Sequence, residues 1–204
     1  MLFEDTYQTI ARSSEGHFKD RGSKFIGYAF PISNENDAKE ALLKVKKEHP
    51  SATHHCYAYR LGLDKTAFRV NDDGEPTGSA GRPILNQLFS LNVTNLIVIV
   101  VRYYGGTMLG IPGLINAYKI ATQAAITENS IVSKTVNDLY EISFEYLQLN
   151  DIMRIIKEEG LLIKQQQFDN DCIISLEIRK GSVNKSLDLL GKIPSLKIKY
   201  VGTT

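Results

Sequence analysis

Two glycine-rich loops hold most of the side chains in this sequence that could do chemistry. The first is Asn71-Asp72-Asp73-Gly74-Glu75-Pro76-Thr77-Gly78-Ser79-Ala80-Gly81, with Asp72, Asp73 and Glu75 crowded together. Such carboxylates could hold a divalent cation or accept hydrogen bonds from a substrate. The alternative is a turn in which Asx side chains bond backbone amides, which Pro76 and Gly78 favour. The spacing does not fit an EF-hand loop. The second loop is Arg102-Tyr103-Tyr104-Gly105-Gly106-Thr107-Met108-Leu109-Gly110-Ile111-Pro112-Gly113. Arg102 ends an apolar run, and a helix is expected to begin near Gly113. Free amides and the positive end of a helix dipole at such a junction favour an anion. Arg102 could add a bidentate phosphate contact, and Tyr103 and Tyr104 offer stacking faces. There is no Walker lysine and no full GxGxxG, so neither nucleotide hydrolysis nor dinucleotide binding follows. The second reading is that the glycines permit tight strand–helix packing and Arg102 pairs with the Asp72–Asp73 loop. Both readings stand on the residues alone.

A third segment, Thr53-His54-His55-Cys56-Tyr57-Ala58-Tyr59-Arg60, reads as a strand. Alternation puts His54, Cys56 and Ala58 on one face and His55, Tyr57 and Tyr59 on the other. His54 and Cys56 share a face, but zinc needs three or four ligands, and neither His17 nor His49 has the spacing to join them. No metal and no cofactor are expected. Cys56 has no recognisable active-site motif around it, so packed and surface strand residues are the simpler reading.

The elements that must position these loops follow from pattern. Thr6 to Ala11 and Ser23 to Pro31 read as strands, joined by a polar stretch with turn markers at Gly16 and Gly22. Asn34 caps a helix to about Glu48, with Ala38, Ala41, Leu42 and Val45 on one face, and Pro50 ends it. Strands follow at Thr53 to Leu61 and Phe68 to Val70. A short helix starts at Pro83 and runs to about Leu91. Asn95 to Val101 lacks polar alternation and reads as a central buried strand. A helix from about Gly113 to Asn129 carries Leu114, Ala117, Tyr118, Ala121 and Ala125 inward. Ser130 to Asn137 marks a boundary between two domains, 1–132 and 138–204. The second has the order β-α-β-β-α-β, with strands at Leu139 to Tyr146, Leu161 to Phe168, Cys172 to Arg179 and Leu196 to Tyr200. Its helices are Asn150 to Glu159 and Val183 to Leu190, and Asp169-Asn170-Asp171 makes a turn. This is the split-βαβ, ferredoxin-like arrangement, and the fold class is α+β.

A formal net charge of +1 argues against a strongly basic nucleic-acid module and leaves room for a local basic patch. The two cysteines, Cys56 and Cys172, form no CxxC pair, so they read as reduced thiols. The start Met1-Leu2-Phe3-Glu4-Asp5 has no secretory pattern, and the longest apolar run, Leu96 to Val101, is too short to span a bilayer. A cytoplasmic protein with no membrane association is expected.

The chain resembles the Impact family, and within it the bacterial two-domain members of the YigZ type. The resemblance rests on Gly22-Ser23-Lys24-Phe25-Ile26, on Ala52 to Tyr59, and on Asp72-Asp73-Gly74-Glu75-Pro76-Thr77-Gly78-Ser79-Ala80-Gly81-Arg82-Pro83-Ile84-Leu85. It continues through Val101-Arg102-Tyr103-Tyr104-Gly105-Gly106, Leu109-Gly110 and Gly113-Leu114. It implies an N-terminal α/β domain of the type shared by a ribosomal small-subunit protein and part of elongation factor G. It also implies a ferredoxin-like C-terminal domain similar to the last domain of that factor. Eukaryotic Impact proteins regulate translation by competing for the activator of the amino-acid-starvation kinase, through an additional N-terminal domain that this sequence is not expected to carry. The position after Leu114-Ile115 is usually basic in the family and is Asn116 here, so Arg82 or Lys119 would compensate.

These readings converge on a non-enzymatic, translation-associated protein that binds RNA or a ribosomal surface. Arg102 and the amides of Gly105, Gly106 and Gly110 would meet phosphate, Tyr103 or Tyr104 would stack, and Arg82 and Lys24 would add charge. One alternative is an enzyme for a small phosphorylated or carboxylated substrate, with Asp72, Asp73 or Glu75 as acid-base or cation ligands and His54 or His55 carrying a proton. The other is a protein–protein interaction module.

Overall fold

The computed structural model describes residues 5–62, 66–168 and 172–204, so the turn expected at 169–171 lies outside the described residues. Contacts divide the chain into a unit of Tyr7–Lys134 and a unit of Thr135–Thr204 that takes in the start of the chain as far as Thr6. No helix among the described residues is long and apolar enough to cross a membrane.

The first unit contains, in order, β1 (Thr6–Ile10), β2 (Ser14–Asp20), β3 (Ser23–Pro31), α1 (Glu35–Glu48), β4 (His54–Leu61) and β5 (Ala67–Asn71). Then come α2 (Gly81–Ser90), β6 (Leu96–Tyr103), α3 (Gly110–Thr127) and β7 (Ile131–Thr135). Five strands form a sheet in the order β2-β3-β6-β4-β5, every neighbouring pair antiparallel. β1 and β7 make a separate two-stranded ladder. β6 sits in the middle, and its alternation serves two cores. Val98 and Val100 pack with Ile84, Leu85 and Leu88 of α2 and Leu114, Tyr118 and Ala121 of α3. Ile97, Ile99 and Val101 pack with Ala38 and Val45 of α1 on the opposite face. Both faces of β6 are covered by helices, which explains its unbroken apolar run. α1 begins where the pattern places it, with Asn34 Oδ1 accepting from the amides of Asn36 and Asp37 at 2.8 and 3.0 Å.

The polar stretch expected only to connect two strands is itself strand β2, an edge strand whose outward positions need no apolar residues. β2 and β3 join through Arg21 and Gly22, with φ of 45° and 81°, the double positive φ of a tight two-residue hairpin. Within this hairpin Gly16 stands opposite Gly27 in register. The pair lets α3 lie directly on the sheet. A Cβ at Gly16 would come within 2.3 Å of the Ala125 amide nitrogen, and one at Gly27 within 2.5 Å of the Ala121 carbonyl oxygen. Gly27→Ala is therefore expected to destabilise the protein by about 1–3 kcal/mol, measured by urea unfolding.

The second unit holds β8 (Asn137–Phe144), α4 (Leu149–Glu158), β9 (Leu162–Phe168), β10 (Cys172–Arg179), α5 (Val183–Leu190) and β11 (Lys197–Thr203). A 3₁₀ turn at Tyr146–Gln148 leads into α4. The strands form an antiparallel sheet in the order β11-β8-β10-β9. Ile142, Ile174, Leu176 and Ile178 from this sheet pack against Ile152, Ile155 and Leu190 of the two helices.

Candidate functional site

The first glycine loop is built by its own carboxylates. Asp72 to Glu75 make a turn closed by the Glu75 amide donating to the Asp72 carbonyl at 2.9 Å. Its central residues, Asp73 and Gly74, have φ of 43° and 88°, which an Asp-Gly pair adopts readily. Asp72 then turns inward and gathers the rest of the loop. Its Oδ2 accepts from the Gly78 amide at 2.9 Å, and its Oδ1 from the amides of Ala80 and Gly81 at 3.1 and 2.8 Å. Those two amides open α2, whose N-cap residue Ala80 has no side chain that could cap it. Asp72 supplies the missing cap and a negative charge at the positive end of the helix. Asp73 Oδ2 accepts from the His55 amide at 2.6 Å, and Lys46 Nζ lies 3.8 Å from its Oδ1.

Glu75 points into the protein. Its side chain is 3% exposed, and Oε1 accepts from Arg102 Nη1 and from the Tyr118 hydroxyl, both at 2.7 Å. Arg102 is buried as well. Its Nη2 reaches Ser23 Oγ at 3.5 Å, and its guanidinium lies 5.5 Å from the ring centres of both Phe25 and Tyr104. Ser23 Oγ in turn accepts from the Gly105 amide at 3.2 Å. The two glycine loops are thus joined through one buried ion pair, Glu75–Arg102, with Tyr118 of α3 and Ser23 of β3 on either side. His54 closes the edge of this cluster. Its Nδ1–H donates to the Asp73 carbonyl at 2.7 Å, and Nε2 stands 3.9 Å from Glu75 Oε1. Cys56 Sγ lies 3.0 Å from the Asp72 carbonyl and 3.2 Å from the Tyr118 hydroxyl, and burial pushes its thiol pKa up, away from the reactive thiolate. Burial likewise raises Tyr118, with Cys56 and Glu75 adding to the shift.

The second loop divides at Arg102. Tyr103 goes to the opposite face of the sheet, where its hydroxyl meets His49 Nδ1 at 2.8 Å. His49 Nε2 bonds the Tyr28 hydroxyl at 2.7 Å, and burial, then Glu15 and Glu48, pushes Tyr28 up to about 12. His55 joins this face by donating from Nε2 to the His49 carbonyl at 3.0 Å. The His54 and His55 rings therefore lie on opposite faces of the strand, as alternation requires, with Asp73 meeting both: its carbonyl accepts from His54 and its Oδ2 lies 3.7 Å from His55 Nδ1. Lys24, in register with Tyr103, also stands on the opposite side from Arg102. Tyr104 is exposed, as are Gly105, Gly106 and Gly110. Gly105 is in contact with the β2–β3 hairpin, and a Cβ there would fall 1.9 Å from the Gly22 carbonyl carbon. α3 begins at Gly110, ahead of the expected start near Gly113, because Gly110 supplies the left-handed φ of 70° at the turn into the helix. The N-cap position is Leu109, and the first turn of α3 has neither a side-chain cap nor an acidic residue. Arg82 is exposed in the first turn of α2, and Asn116 and Lys119 are exposed on α3.

Three participants escape the sequence reading. Tyr118 reads as one more apolar position of α3, although its hydroxyl anchors Glu75. Ser23 reads as the start of a strand, although it bridges Arg102 and Gly105. Arg21, with Lys19 beside it, lies in what reads as a connection; the Gly22 turn marker was the available signal for a hairpin tip there. Among the described residues no group of three or more His, Cys, Asp or Glu is placed to hold a metal ion.

Residues 21–126, more than half of the chain, match the Impact N-terminal domain, and the whole Glu75–Arg102 network falls inside that stretch. The IMPACT family member YvyE of Bacillus subtilis is 30% identical over 179 residues, covering 88% of this chain and 82% of YvyE. The IMPACT family member YigZ of Escherichia coli is 38% identical over 144 residues, 69% of this chain and 71% of YigZ. A crystal structure of a hypothetical protein superposes with a TM-score of 0.74 at 28% identity, covering 97% of this chain and 98% of that one. By the matched domain and by relatives that align over most of both chains, this protein belongs to the Impact family.

Proposed function

We propose that this is a translation-associated regulatory protein without catalytic activity, which binds RNA or a ribosomal surface. The domain assignment proposed with it is an N-terminal domain of the ribosomal-protein and elongation-factor G type at 1–132 and a ferredoxin-like domain at 138–204, working in the cytoplasm. Resemblance supplies the link to translation. The observation that carries the reading is the seat of the Arg21–Gly22 turn against Gly105. It puts exposed Arg21 at the tip of the hairpin that abuts the glycine loop, with exposed Tyr104 in that loop and the uncapped start of α3 after it, while exposed Lys19 and Lys24 stand on the other face of the same hairpin. Basic side chains, open amides and an aromatic face are what a phosphate backbone and unstacked bases engage. The enzyme reading finds less support. Asp72 is engaged by three amides, Glu75 by Arg102 and Tyr118, and Cys56 is a buried thiol.

The test is binding of the full chain to purified ribosomes and to ribosomal RNA across a salt series. About three phosphate contacts predict that log K falls with log salt at a slope near −2 to −3, and Arg21→Ala should reduce the slope by about 1. Binding that ignores salt, or no binding at low salt, refutes the reading.

A further inference from the structure

β5 is one of the two edges of the sheet in the first unit, and the two edges meet solvent differently. The β2 edge places Glu15, His17 and Lys19 at alternate positions, charges that discourage another strand from adding there. β5 has no such guard on one of its faces. All five of its residues are exposed, and Phe68 and Val70 are large and apolar. Register with β4 sets Phe68 beside Arg60 and Val70 beside Ala58, on the face of the sheet where Ala58 packs with α2. There the Phe68 ring meets Phe89, near the end of α2, edge-on at 5.9 Å, and Phe89 is itself 39% exposed. Among the described residues no strand lies beyond β5, so the outward amides and carbonyls of this edge have no ladder partner.

The opposite face of the same strand carries a polar cleft. Arg69, in register with Tyr59, stands on the side of the sheet that α1 covers. With Tyr57, Tyr59 and, from α1, Glu35 and Lys39, it lines a cleft of about 30 Å³. That volume admits the oxygens of a carboxylate and is too small for an aromatic ring. Two cations against one carboxylate leave the cleft with a positive balance. Edge, apolar face and cleft together specify an occupant. An extended polypeptide offers amides and carbonyls at the spacing of the edge, and its successive side chains point to opposite faces. We propose that β5 receives, as one further strand of the sheet, a partner segment in which an acidic residue stands between apolar ones. The acidic side chain enters the cleft at Arg69, and the apolar ones rest on Phe68, Val70 and Phe89. A second copy of β5 does not fit this pattern, because it brings Arg69 where the cleft calls for a carboxylate. The inference goes beyond the proposed function and does not depend on it.

The experiment measures binding of the full chain to short fluorescein-labelled peptides by anisotropy, without ribosomes. One peptide alternates valine and glutamate, and another alternates valine and lysine. The expected result is saturable binding of the valine–glutamate peptide, at least about tenfold tighter than the valine–lysine one. Methylating one alternating set of its backbone amides should abolish binding, while methylating the other set, which faces solvent, should not. Arg69→Glu should reverse the preference between the two peptides, and Phe68→Ser should weaken both by at least about fivefold. Both positions are exposed, and unchanged circular dichroism verifies that the variants fold. Lys39→Glu makes the same charge test from α1 should Arg69→Glu fail to fold. Absence of saturable binding of the valine–glutamate peptide overturns the inference, as does a preference that the charge change leaves as it was. Tolerance of methylation in both sets, or intolerance in both, overturns the added strand. A concentration-dependent dimer in light scattering that Phe68→Ser abolishes assigns the edge to a second copy of the chain and overturns the partner segment.

Discussion

Replacing Glu75 by Gln is expected to destabilise the protein by about 3–5 kcal/mol, the largest effect of any single change in this site. Glu75 Oε1 is the carboxylate oxygen that Arg102 Nη1 and the Tyr118 hydroxyl both meet at 2.7 Å, and the side chains of the ion pair are 3% and 7% exposed. The amide oxygen of Gln can still accept from Tyr118. It cannot balance the guanidinium, which would remain charged in a place where water reaches poorly. Arg102 must then either stay buried with uncompensated charge or leave, opening the space beneath Ser23 and Tyr104. Removing both charges is a different matter. In Glu75→Gln/Arg102→Met no buried charge is left, and the double variant is expected to recover most of the loss. Urea unfolding of the two single variants and the double one measures this directly.

Gly105→Ala should be the next most damaging change, at about 3 kcal/mol, and it should also weaken ribosome binding by about tenfold or more. The difficulty is space. The added Cβ would sit 1.9 Å from the Gly22 carbonyl carbon and 2.2 Å from the Ser23 amide nitrogen, both backbone atoms that no rotamer change can move. Hairpin and loop must separate, and the bond from the Gly105 amide to Ser23 Oγ is lost with them. That separation removes the basic hairpin from the loop that the proposed function depends on. Gly106→Ala is the useful contrast. Nothing lies within 4 Å of its Cβ position, so any cost there comes from its φ of 84° and not from contact with the hairpin. A salt-series binding measurement with each variant, alongside its unfolding curve, separates the two causes.

Much of the scaffold was legible because local rules decide it. Asn34 caps its helix through two amides, and β6 reads as central because no polar residue interrupts its buried run. β2 was not legible, since an edge strand with Gly16 at its buried position presents neither alternation nor β-branched residues. In the site, alternation separates His54 from His55 correctly, while the same rule applied to β3 and β6 would have separated Lys24 from Arg102. That Arg102 pairs with the first glycine loop is one of the two readings the residues leave open, but that its partner is Glu75, not Asp72 or Asp73, has no local signature, because it depends on how far the Asp72 turn carries Glu75 inward. The hydroxyl of Tyr118 was hidden for a related reason: in an apolar helix pattern, Tyr counts as one more core residue until its polar end meets a partner.

The Glu75–Arg102 pair is a structural contact between the two loops that an uncharged pair can replace, and binding is proposed to occur on the exposed edge and not at the pair itself. Co-sedimentation of Glu75→Gln/Arg102→Met with purified ribosomes tests it most directly, with folding checked by circular dichroism. The double variant is expected to fold and to bind within about threefold of wild type, against at least about tenfold weakening in Arg21→Glu/Lys24→Glu. A folded double variant that no longer binds, beside a charge-reversed hairpin that still does, would contradict it.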